Sequence, residues 1–354
     1  MRPKICVTRW MPEEGVQLLR DYCDVTIGPE DRPFSTQGLI DAARHANALI
    51  CFPSDRIDEV ILAGCPHVQV VASFGKGYDH IDVEACTARG IWVTVNPDLP
   101  AEATADLAMG LLLSLCRNIV AGDGFVRSGQ FPGWHPTRFV GQNLYGKVLG
   151  ILGMGAIGRA VARRAQGFSM PVLYYDHVPL PEHQEHELGV SGQPLSDVLQ
   201  EADAILLALP LTRQTFRFIN RSRLNLMKPS TLLVNVSRGS VVDEAAVAEA
   251  LAQHQLAGYA ADVFAAEEQR ELGRALSAAT ELLQANAPTV LTPHLGTATR
   301  ETRSALAVAV AENVLTALRG QCPPGAINHV MRRTIKSRNA KRWEERKHLS
   351  LVCE

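Results

Sequence analysis

Three glycines and one carboxylate are the residues whose types and spacing first point to chemistry. A short apolar run at 148–152 leads into Gly-Met-Gly-Ala-Ile-Gly at 153–158, and a helical apolar pattern follows the last glycine. A second apolar run at 171–175 ends in Asp176, eighteen residues after Gly158. The order of strand, glycine turn, helix, strand and acid is that of a dinucleotide-binding βαβ unit rather than of an isolated glycine motif.

Each glycine of this motif has a physical reason to be a glycine. Gly153 permits the tight turn out of the strand, and Gly155 has no side chain to keep the backbone away from a pyrophosphate. Gly158 allows the helix and the strand to pack closely. The alternative is an ordinary strand-turn-helix of an α/β sheet, and the complete pattern favours cofactor binding over it.

The helix start and the acid predict which cofactor the motif binds. Free N–H groups at Ala156 and Ile157, together with the positive end of the helix dipole, would receive the phosphates. Asp176 would accept hydrogen bonds from the adenosine ribose hydroxyls, and its charge would repel a 2′-phosphate. We therefore expect NAD as the cofactor in preference to NADP.

Strand-like and helical segments alternate along most of the chain, which indicates βαβ units and mainly parallel sheets. The predicted strands outside the motif cover residues 4–9, 23–27, 48–52, 68–72, 91–95, 204–208, 231–235, 257–263 and 290–292. The predicted helices cover residues 11–22, 35–46, 58–64, 81–88, 195–200, 221–227, 243–252 and 300–319. The expected fold class is therefore α/β, with two Rossmann-like domains built on parallel sheets.

The segment between the two predicted domains differs from the rest. A long helix is expected over 104–120; it is apolar on most faces, which predicts burial between domains or subunits. The following residues, 121–145, are rich in aromatic side chains, including Phe131 and Trp134. Such an apolar arm is typical of a contact between subunits.

Composition and charge exclude several classes of protein. With 354 residues the chain can form two domains, and its net charge of −2 predicts no nucleic-acid or membrane partner. The first residues lead directly into strand-like sequence, so we expect no signal peptide and a cytoplasmic location. The eight cysteines are scattered, which favours free thiols over disulfides or a metal site. The segment 331–354 has eight Lys or Arg and three Glu residues and is expected to be a basic tail.

Four blocks of sequence resemble the D-2-hydroxyacid dehydrogenase superfamily, in the order found in that superfamily. They are GMGAIG at 153–158, LVNVSRGSVVDEAAV at 233–247, GYAADVFAAEE at 258–268 and TPHLGTATRETR at 292–303. The resemblance covers roughly residues 1–330 and implies two similar α/β domains with a cleft between them. It implies a discontinuous, flavodoxin-like substrate domain at 1–100 and 295–330, and an NAD-binding Rossmann domain at 101–294. It also implies a homodimer whose arm spans 104–140.

The resemblance implies three catalytic residues. Arg238 would bind an anionic substrate beside the nicotinamide, because a guanidinium forms paired hydrogen bonds with such groups. His294 would move the proton that accompanies hydride transfer. Glu267, which fits the spacing from Asp262 better than its neighbour Glu268, would orient His294 and favour its charged form. The resemblance also assigns cofactor contacts to four further residues: Thr104, Pro210, Asp262 and Gly296.

One loop indicates a particular branch of the superfamily. Lys76 lies between two glycines, Gly75 and Gly77, and would add a second cation to Arg238. Two cations suit a dianion or a compact oxyanion better than a monocarboxylate. This loop, with the sequences at 85–94, 126–134 and 258–264, resembles phosphite (phosphonate) dehydrogenases, which oxidise phosphite to phosphate with NAD and water. The resemblance then implies phosphite binding by Lys76, Arg238 and Arg303, with Gly77 next to Lys76 in the substrate loop. It also implies water activation by His294 and closure of the site by Trp134 of a neighbouring subunit.

Two other functions stay open on the sequence. The first is reduction of glyoxylate, hydroxypyruvate or a related 2-keto acid, in which Arg238 binds the carboxylate and His294 protonates the carbonyl oxygen. The second is an NAD sensor that binds the cofactor without useful turnover, although an intact set of three catalytic residues argues against it. Both enzymatic interpretations predict a small anionic substrate.

Overall fold

The computed structural model describes residues 2–30, 32–269, 282 and 287–330, and it divides the chain into two compact units. Among the described residues, the first unit contains those up to 99 and those at 300–330, and the second contains those between 100 and 299. All the strand pairs in both units are parallel. The predicted α/β class with two parallel, Rossmann-like sheets is confirmed. The expected basic tail at 331–354 lies outside the described residues.

The first unit is built on a five-stranded sheet with the order β2-β1-β3-β4-β5. The strands are β1 (Lys4–Val7), β2 (Asp24–Ile27), β3 (Ala48–Cys51), β4 (Val70–Ser73) and β5 (Trp92–Thr94). The helices that connect them are α1 (Glu13–Arg20), α2 (Thr36–Ala43), α3 (Glu59–Gly64) and α4 (Val83–Ala88). Every residue of β3 and β4 is buried, which explains why these central strands are continuous apolar runs.

The second unit is built on a seven-stranded sheet with the order β12-β11-β10-β9-β6-β7-β8. The strands are β6 (Leu149–Leu152), β7 (Val172–Tyr175), β8 (Val190–Gly192), β9 (Ala204–Leu207), β10 (Leu232–Asn235), β11 (Gly258–Ala261) and β12 (Thr289–Leu291). The helices are α5 (Ala101–Cys116), α6 (Ile119–Arg127), α7 (Ala156–Gln166), α8 (Glu182–Leu188), α9 (Leu195–Glu201), α10 (Arg221–Leu224), α11 (Glu244–Ala252) and α12 (Ala265–Gln269). The strand order reverses between β6 and β9, and ligands of such sheets bind outside the carboxyl ends of the strands at that point.

The chain then returns to the first unit as helix α13 (Arg300–Leu318), which packs against α1 and β4. Leu306 and Val310 of α13 lie in one apolar cluster with Ile5 and Val16. A Cβ atom at Gly15 would collide with the carbonyl oxygen of Ala307 on α13. The absence of a side chain at Gly15 therefore lets the two helices approach closely.

The long helix expected over 104–120 is wrong as a single element. The structure has α5 and α6 in its place, bent by 65° at a break beside Asn118. Asn118 has a φ of 53°, in the left-handed region that asparagine tolerates better than most residues. Helix α5 packs against β10 and β11, whereas α6 has no buried residue. Within the described chain, no single helix has the length and apolar character to cross a membrane; α5 and α6 meet that test only when counted together.

Within the described residues, three of the α-helices and β-strands have no counterpart among the sequence-based predictions. They are helix α8, strand β8 and helix α12. Each spans seven residues or fewer, which is too short to show a clear helical or alternating period. Helix α12 carries Glu267, one of the residues predicted to be catalytic.

Candidate active site

The glycine turn joins strand β6 to helix α7 at the point where the strand order reverses. Gly153 has a φ of 100°, and a Cβ atom there would lie 2.6 Å from the carbonyl oxygen of Ala208, just after β9. A Cβ atom at Gly158 would collide with the carbonyl oxygen of Gly153. Both glycines are therefore required by close backbone contact, as the motif predicts.

The start of helix α7 has the properties of a phosphate-binding end. Its N-cap is Gly155, and within the described residues no side chain caps the helix. The helix begins at Ala156 and continues through Ile157 for eleven residues, so it presents backbone N–H groups and the positive end of its dipole. This end fits the pyrophosphate of a dinucleotide, which would complete the hydrogen bonds of those N–H groups.

Asp176 lies beside the same turn. It follows β7, and its Oδ2 atom accepts a hydrogen bond of 2.7 Å from the backbone N–H of Met154, within the glycine motif. Its Oδ1 atom accepts from the N–H of Val178 at 3.1 Å. A cleft of about 260 Å³ borders this carboxylate. The negative charge of Asp176 is thus fixed where the ribose of a dinucleotide is expected.

Arg238 follows β10 and is half-buried. Its Nη1 atom donates to the carbonyl oxygen of Ser237 at 2.9 Å, and its own carbonyl oxygen accepts from the side-chain amide of Asn235 at 2.9 Å. The amide oxygen of Asn235 in turn accepts from the backbone N–H and the hydroxyl of Ser237. Asn235 therefore fixes the turn that carries the guanidinium.

Glu267 and His294 form a hydrogen-bonded pair. The Oε2 atom of Glu267 lies 2.7 Å from Nδ1 of His294, and its Oε1 atom accepts from the backbone N–H of Phe264 at 2.7 Å. An ionised carboxylate only accepts hydrogen bonds, so Nδ1 carries the hydrogen and Nε2 is the nitrogen available to exchange a proton. The side chains are 36% exposed for His294 and 35% for Glu267, so the pair is accessible to a ligand.

Asp262 builds the loop on which His294 stands. Its Oδ1 atom accepts from the Thr292 hydroxyl at 2.6 Å and from the Leu295 N–H at 2.7 Å, and its Oδ2 atom accepts from the Gly296 N–H at 2.8 Å. Its backbone carbonyl oxygen accepts from the N–H of His294 at 2.9 Å. Burial raises the pKa of Asp262, and the hydrogen bonds from Thr292 and the loop oppose that shift. His294 adopts a φ of 56°, which these bonds hold in place.

Two of the residues assigned to the cofactor join this network. Thr104, at the start of α5, donates to the carbonyl oxygen of Gly296 at 3.2 Å and is buried. In the structure Thr104, Asp262 and Gly296 thus support the loop of His294. Pro210 lies in the exposed turn after β9, where its carbonyl oxygen accepts from the Thr215 hydroxyl at 2.5 Å. Their contacts with a cofactor stay a prediction.

The substrate residues predicted in the first unit occupy two places within it. Lys76 and Gly77 follow β4; the carbonyl oxygen of Gly77 accepts from the Ser73 hydroxyl at 2.8 Å, and Lys76 is exposed. Partial desolvation lowers the pKa of Lys76, and the charge of Asp98 opposes that shift. Arg303 is exposed near the start of α13. Their roles in substrate binding stay predictions, as does that of Trp134, which is 86% exposed in the second unit.

The second unit therefore has a defined set of chemical groups on loops that follow neighbouring strands. The guanidinium of Arg238 follows β10, and the carboxylate–imidazole pair of Glu267 and His294 follows β11 and β12. A dinucleotide fits the turn after β6. Among the described residues, no group of three or more His, Cys, Asp or Glu side chains is placed to bind a metal ion. Such a set can bind an anion and move a proton next to a redox cofactor.

Comparison with known proteins identifies the family. Residues 109–296 match the family described as D-isomer specific 2-hydroxyacid dehydrogenase, NAD binding domain. The chain is 43% identical over 332 residues to a glyoxylate reductase of Pyrococcus furiosus, covering 93% of this chain and 96% of that protein. A solved protein from Thermus thermophilus is similar with a TM-score of 0.81 and 36% identity, covering 92% of this chain and all of that one. The chain belongs to the D-isomer specific 2-hydroxyacid dehydrogenase family and is an NAD-dependent oxidoreductase of that family.

The finer resemblance to phosphite dehydrogenases is not supported by these comparisons. A second curated relative, from Pyrococcus horikoshii, is also named glyoxylate reductase and is 41% identical over 96% of this chain and 98% of its own length. A solved NADPH-dependent glyoxylate/hydroxypyruvate reductase from Sinorhizobium meliloti has a TM-score of 0.80 and 28% identity, covering 95% of this chain and all of that one. The relatives thus favour the keto-acid alternative over phosphite.

The sequence did not reveal several residues that shape this site. The sequence-based predictions include no role for Asn235, Thr292 or Glu244, although all three bond to segments that carry the proposed catalytic residues. A polar residue at the end of an apolar strand, as at Asn235, is a usable signal for a residue that fixes the following turn. Glu244 gave no such signal, because a glutamate in the first turn of a helix is ordinarily solvated.

We predict that Asp262→Ala will loosen the loop of His294. The substitution leaves the buried N–H of Gly296 and the partly buried N–H of Leu295 without their acceptor, which should cost about 2 kcal/mol or more of unfolding free energy. Thr292→Val is the matched control, since it removes only one donor to the same carboxylate and should cost about 1 kcal/mol. Denaturant unfolding and hydrogen exchange of the peptide containing 294–296 measure both effects. Equal protection in the two variants would contradict the role of Asp262.

Proposed function

We propose that this chain is an NADH-dependent reductase of glyoxylate or a related small 2-keto acid. The observation that carries the proposal is the 2.7 Å bond between Glu267 and His294 in the NAD-binding unit, with Arg238 on the neighbouring strand end. The names of the relatives support the same substrate class. Keto-acid reduction is the alternative to phosphite oxidation, and both reactions would use the same catalytic residues, Arg238, Glu267 and His294.

The residues of the chain divide the work of this reaction. Bound NADH supplies a hydride to the carbonyl carbon of the keto acid. Arg238 binds the substrate carboxylate, because its planar guanidinium matches two carboxylate oxygens. His294 donates the proton from Nε2 to the carbonyl oxygen, and the product is a 2-hydroxy acid. Glu267 pairs with Nδ1 of His294 and keeps the imidazole oriented for this transfer.

The cofactor is assigned to the residues around the glycine turn. Gly153, Gly155 and Gly158 give the backbone its close approach, and the N–H groups of Ala156 and Ile157 receive the pyrophosphate. Asp176 would bind the adenosine ribose. Its fixed negative charge disfavours a 2′-phosphate, so we propose a preference for NADH over NADPH.

The substrate proposal is tested by following the absorbance of the reduced cofactor. We expect consumption of NADH with glyoxylate and hydroxypyruvate, slower consumption of NADPH, and no formation of NADH from NAD with phosphite. His294→Asn is the control, since it should bind NADH and reduce neither keto acid. NADH formation that depends on phosphite, without keto-acid reduction, would contradict this proposal and indicate phosphite oxidation with Lys76 in the substrate site. Cofactor binding without turnover of any of these anions would indicate a sensor.

We further propose that the chain forms a homodimer through the arm at residues 119–145. Of the seventeen large apolar side chains exposed among the described residues, eight lie in this arm, and Trp134 is the most exposed. Helix α6 has no buried residue, so its apolar residues have no core of their own to join. A second copy of the arm would cover them. The seven described cysteines are free thiols, which favours a cytoplasmic location for this dimer.

The dimer predicts different effects for two similar surface substitutions. Val120 in the arm is 56% exposed and Val60 on α3 is 59% exposed. Val120→Asp should weaken self-association by about tenfold or more, because a charge would be buried in the interface, whereas Val60→Asp should leave it unchanged. Sedimentation velocity over a range of protein concentrations measures both. A wild-type chain that sediments as a monomer at all concentrations would contradict the proposal.

A further inference from the structure

Two neighbouring segments of the second unit carry the proposed chemistry. One follows β10 and contains Arg238, and the other follows β11 and contains Glu267. Because Arg238 would bind the substrate and Glu267 orients the proton donor, the distance between the segments sets the reaction geometry. Residues that join these two segments can therefore position the proposed catalytic groups.

The first contact is between backbones. A Cβ atom at Gly239, the residue after Arg238, would collide with the carbonyl carbon of Phe264 and the backbone nitrogen of Ala265. The two backbone segments thus touch without any side chain between them. The second contact is polar: the backbone N–H of Ser240 lies 3.1 Å from Oε2 and 3.3 Å from Oε1 of Glu268. The two adjacent acids therefore have different partners, because Glu268 bonds to the Arg238 segment and Glu267 bonds to His294.

The third contact involves a buried acid that the proposed reaction does not use. Glu244 lies in the first turn of α11 and is only 6% exposed. Its Oε1 atom accepts a hydrogen bond of 2.9 Å from the backbone N–H of Ala265, two residues before Glu267. Its Oε2 atom is buried and has no hydrogen-bond partner among the described residues. The side chain therefore crosses from the segment of Arg238 to the turn of Glu267.

The environment of Glu244 is unfavourable for an ionised carboxylate. Burial raises its pKa, the hydrogen bond from Ala265 opposes this, and the charges of Glu268, Glu267 and Asp243 raise it further. A glutamate at this position would ordinarily reach solvent and stabilise the helix dipole. Its inward placement leaves the buried Oε2 atom without a hydrogen bond among the described residues, which costs free energy. An apolar side chain could fill the same space without that cost.

We propose that Glu244 is a positioning residue that fixes the turn of Glu267, and through it the Glu267–His294 pair, relative to Arg238. Its catalytic consequence rests on the proposed function. Glu244 touches neither the proposed substrate nor His294 in this arrangement. It acts by supplying the acceptor for the N–H of Ala265, so the role depends on an acceptor oxygen and not on a negative charge.

Two substitutions test whether Glu244 acts through an acceptor oxygen or through its negative charge. Glu244→Gln keeps an acceptor oxygen of the same reach, so the rate constant kcat for keto-acid reduction should stay within about threefold of the wild-type value. Glu244→Met keeps the shape and removes the acceptor, so kcat should fall about tenfold or more. Cofactor affinity should be unchanged in both, so the loss in Glu244→Met should appear in kcat. Glu249→Gln, on the exposed side of the same helix, is the matched control and should behave as wild type.

A measurement that needs no substrate keeps this inference separate from the proposed function. Hydrogen exchange of the peptide containing residues 264–268 should be faster in Glu244→Met than in the wild type, Glu244→Gln or Glu249→Gln. If the wild type reduces no keto acid, the proposed function fails, and this exchange pattern still decides the structural role of Glu244. Unchanged exchange in Glu244→Met, or an equal loss of kcat in the Gln and Met variants, would overturn the inference.

Discussion

The hydrogen bond between Glu267 and His294 is the contact on which the proposed chemistry depends. Its two partners follow different strands: Glu267 lies on helix α12 after β11, and His294 lies in the loop after β12. The parallel pairing of β11 and β12 brings these two segments together. It leaves Nε2 of the imidazole as the proton-exchanging nitrogen. The rest of the unit can be understood as the means by which this pair and Arg238 are kept in place.

Several bonds fix the backbone around that pair. Asp262 gives its two carboxylate oxygens to the loop of His294, and Thr104 ties the same loop to the start of α5. Asn235 fixes the turn of Arg238, while Glu244 and Glu268 join that segment to the turn of Glu267. Most of these side chains are buried and polar, and each has a hydrogen bond to backbone. Such networks specify one arrangement of a loop more strictly than apolar packing does.

The parts of the site that the sequence predicted are those encoded locally. The glycine motif and Asp176 lie within one βαβ unit, and the structure places them together because a tight turn and a short helix allow no other arrangement. The position of Arg238 after a strand was predictable for the same reason. The bend at Asn118 was not, because a left-handed asparagine leaves the apolar pattern of the helix intact.

Other features depend on contacts between distant segments. The inward direction of Glu244 is set by the backbone N–H of Ala265, far along the chain, which no local pattern encodes. The choice between Glu267 and Glu268 rested on spacing from Asp262, and the structure shows Glu267 against His294. Lys76 favoured phosphite as a second cation in addition to Arg238. A lysine specifies only a positive charge, however, and that charge does not distinguish a carboxylate from another oxyanion.

The most direct measurement for this account compares Glu267→Gln with Glu268→Gln in the pH dependence of keto-acid reduction. Loss of the carboxylate at Glu267 should lower kcat about tenfold or more across the pH profile, because the imidazole loses the partner that orients it. Glu268→Gln keeps an oxygen for the N–H of Ser240 and should stay near the wild-type profile. An unchanged profile in Glu267→Gln, or a larger loss in Glu268→Gln, would contradict the assignment of the Glu267–His294 pair as the proton donor.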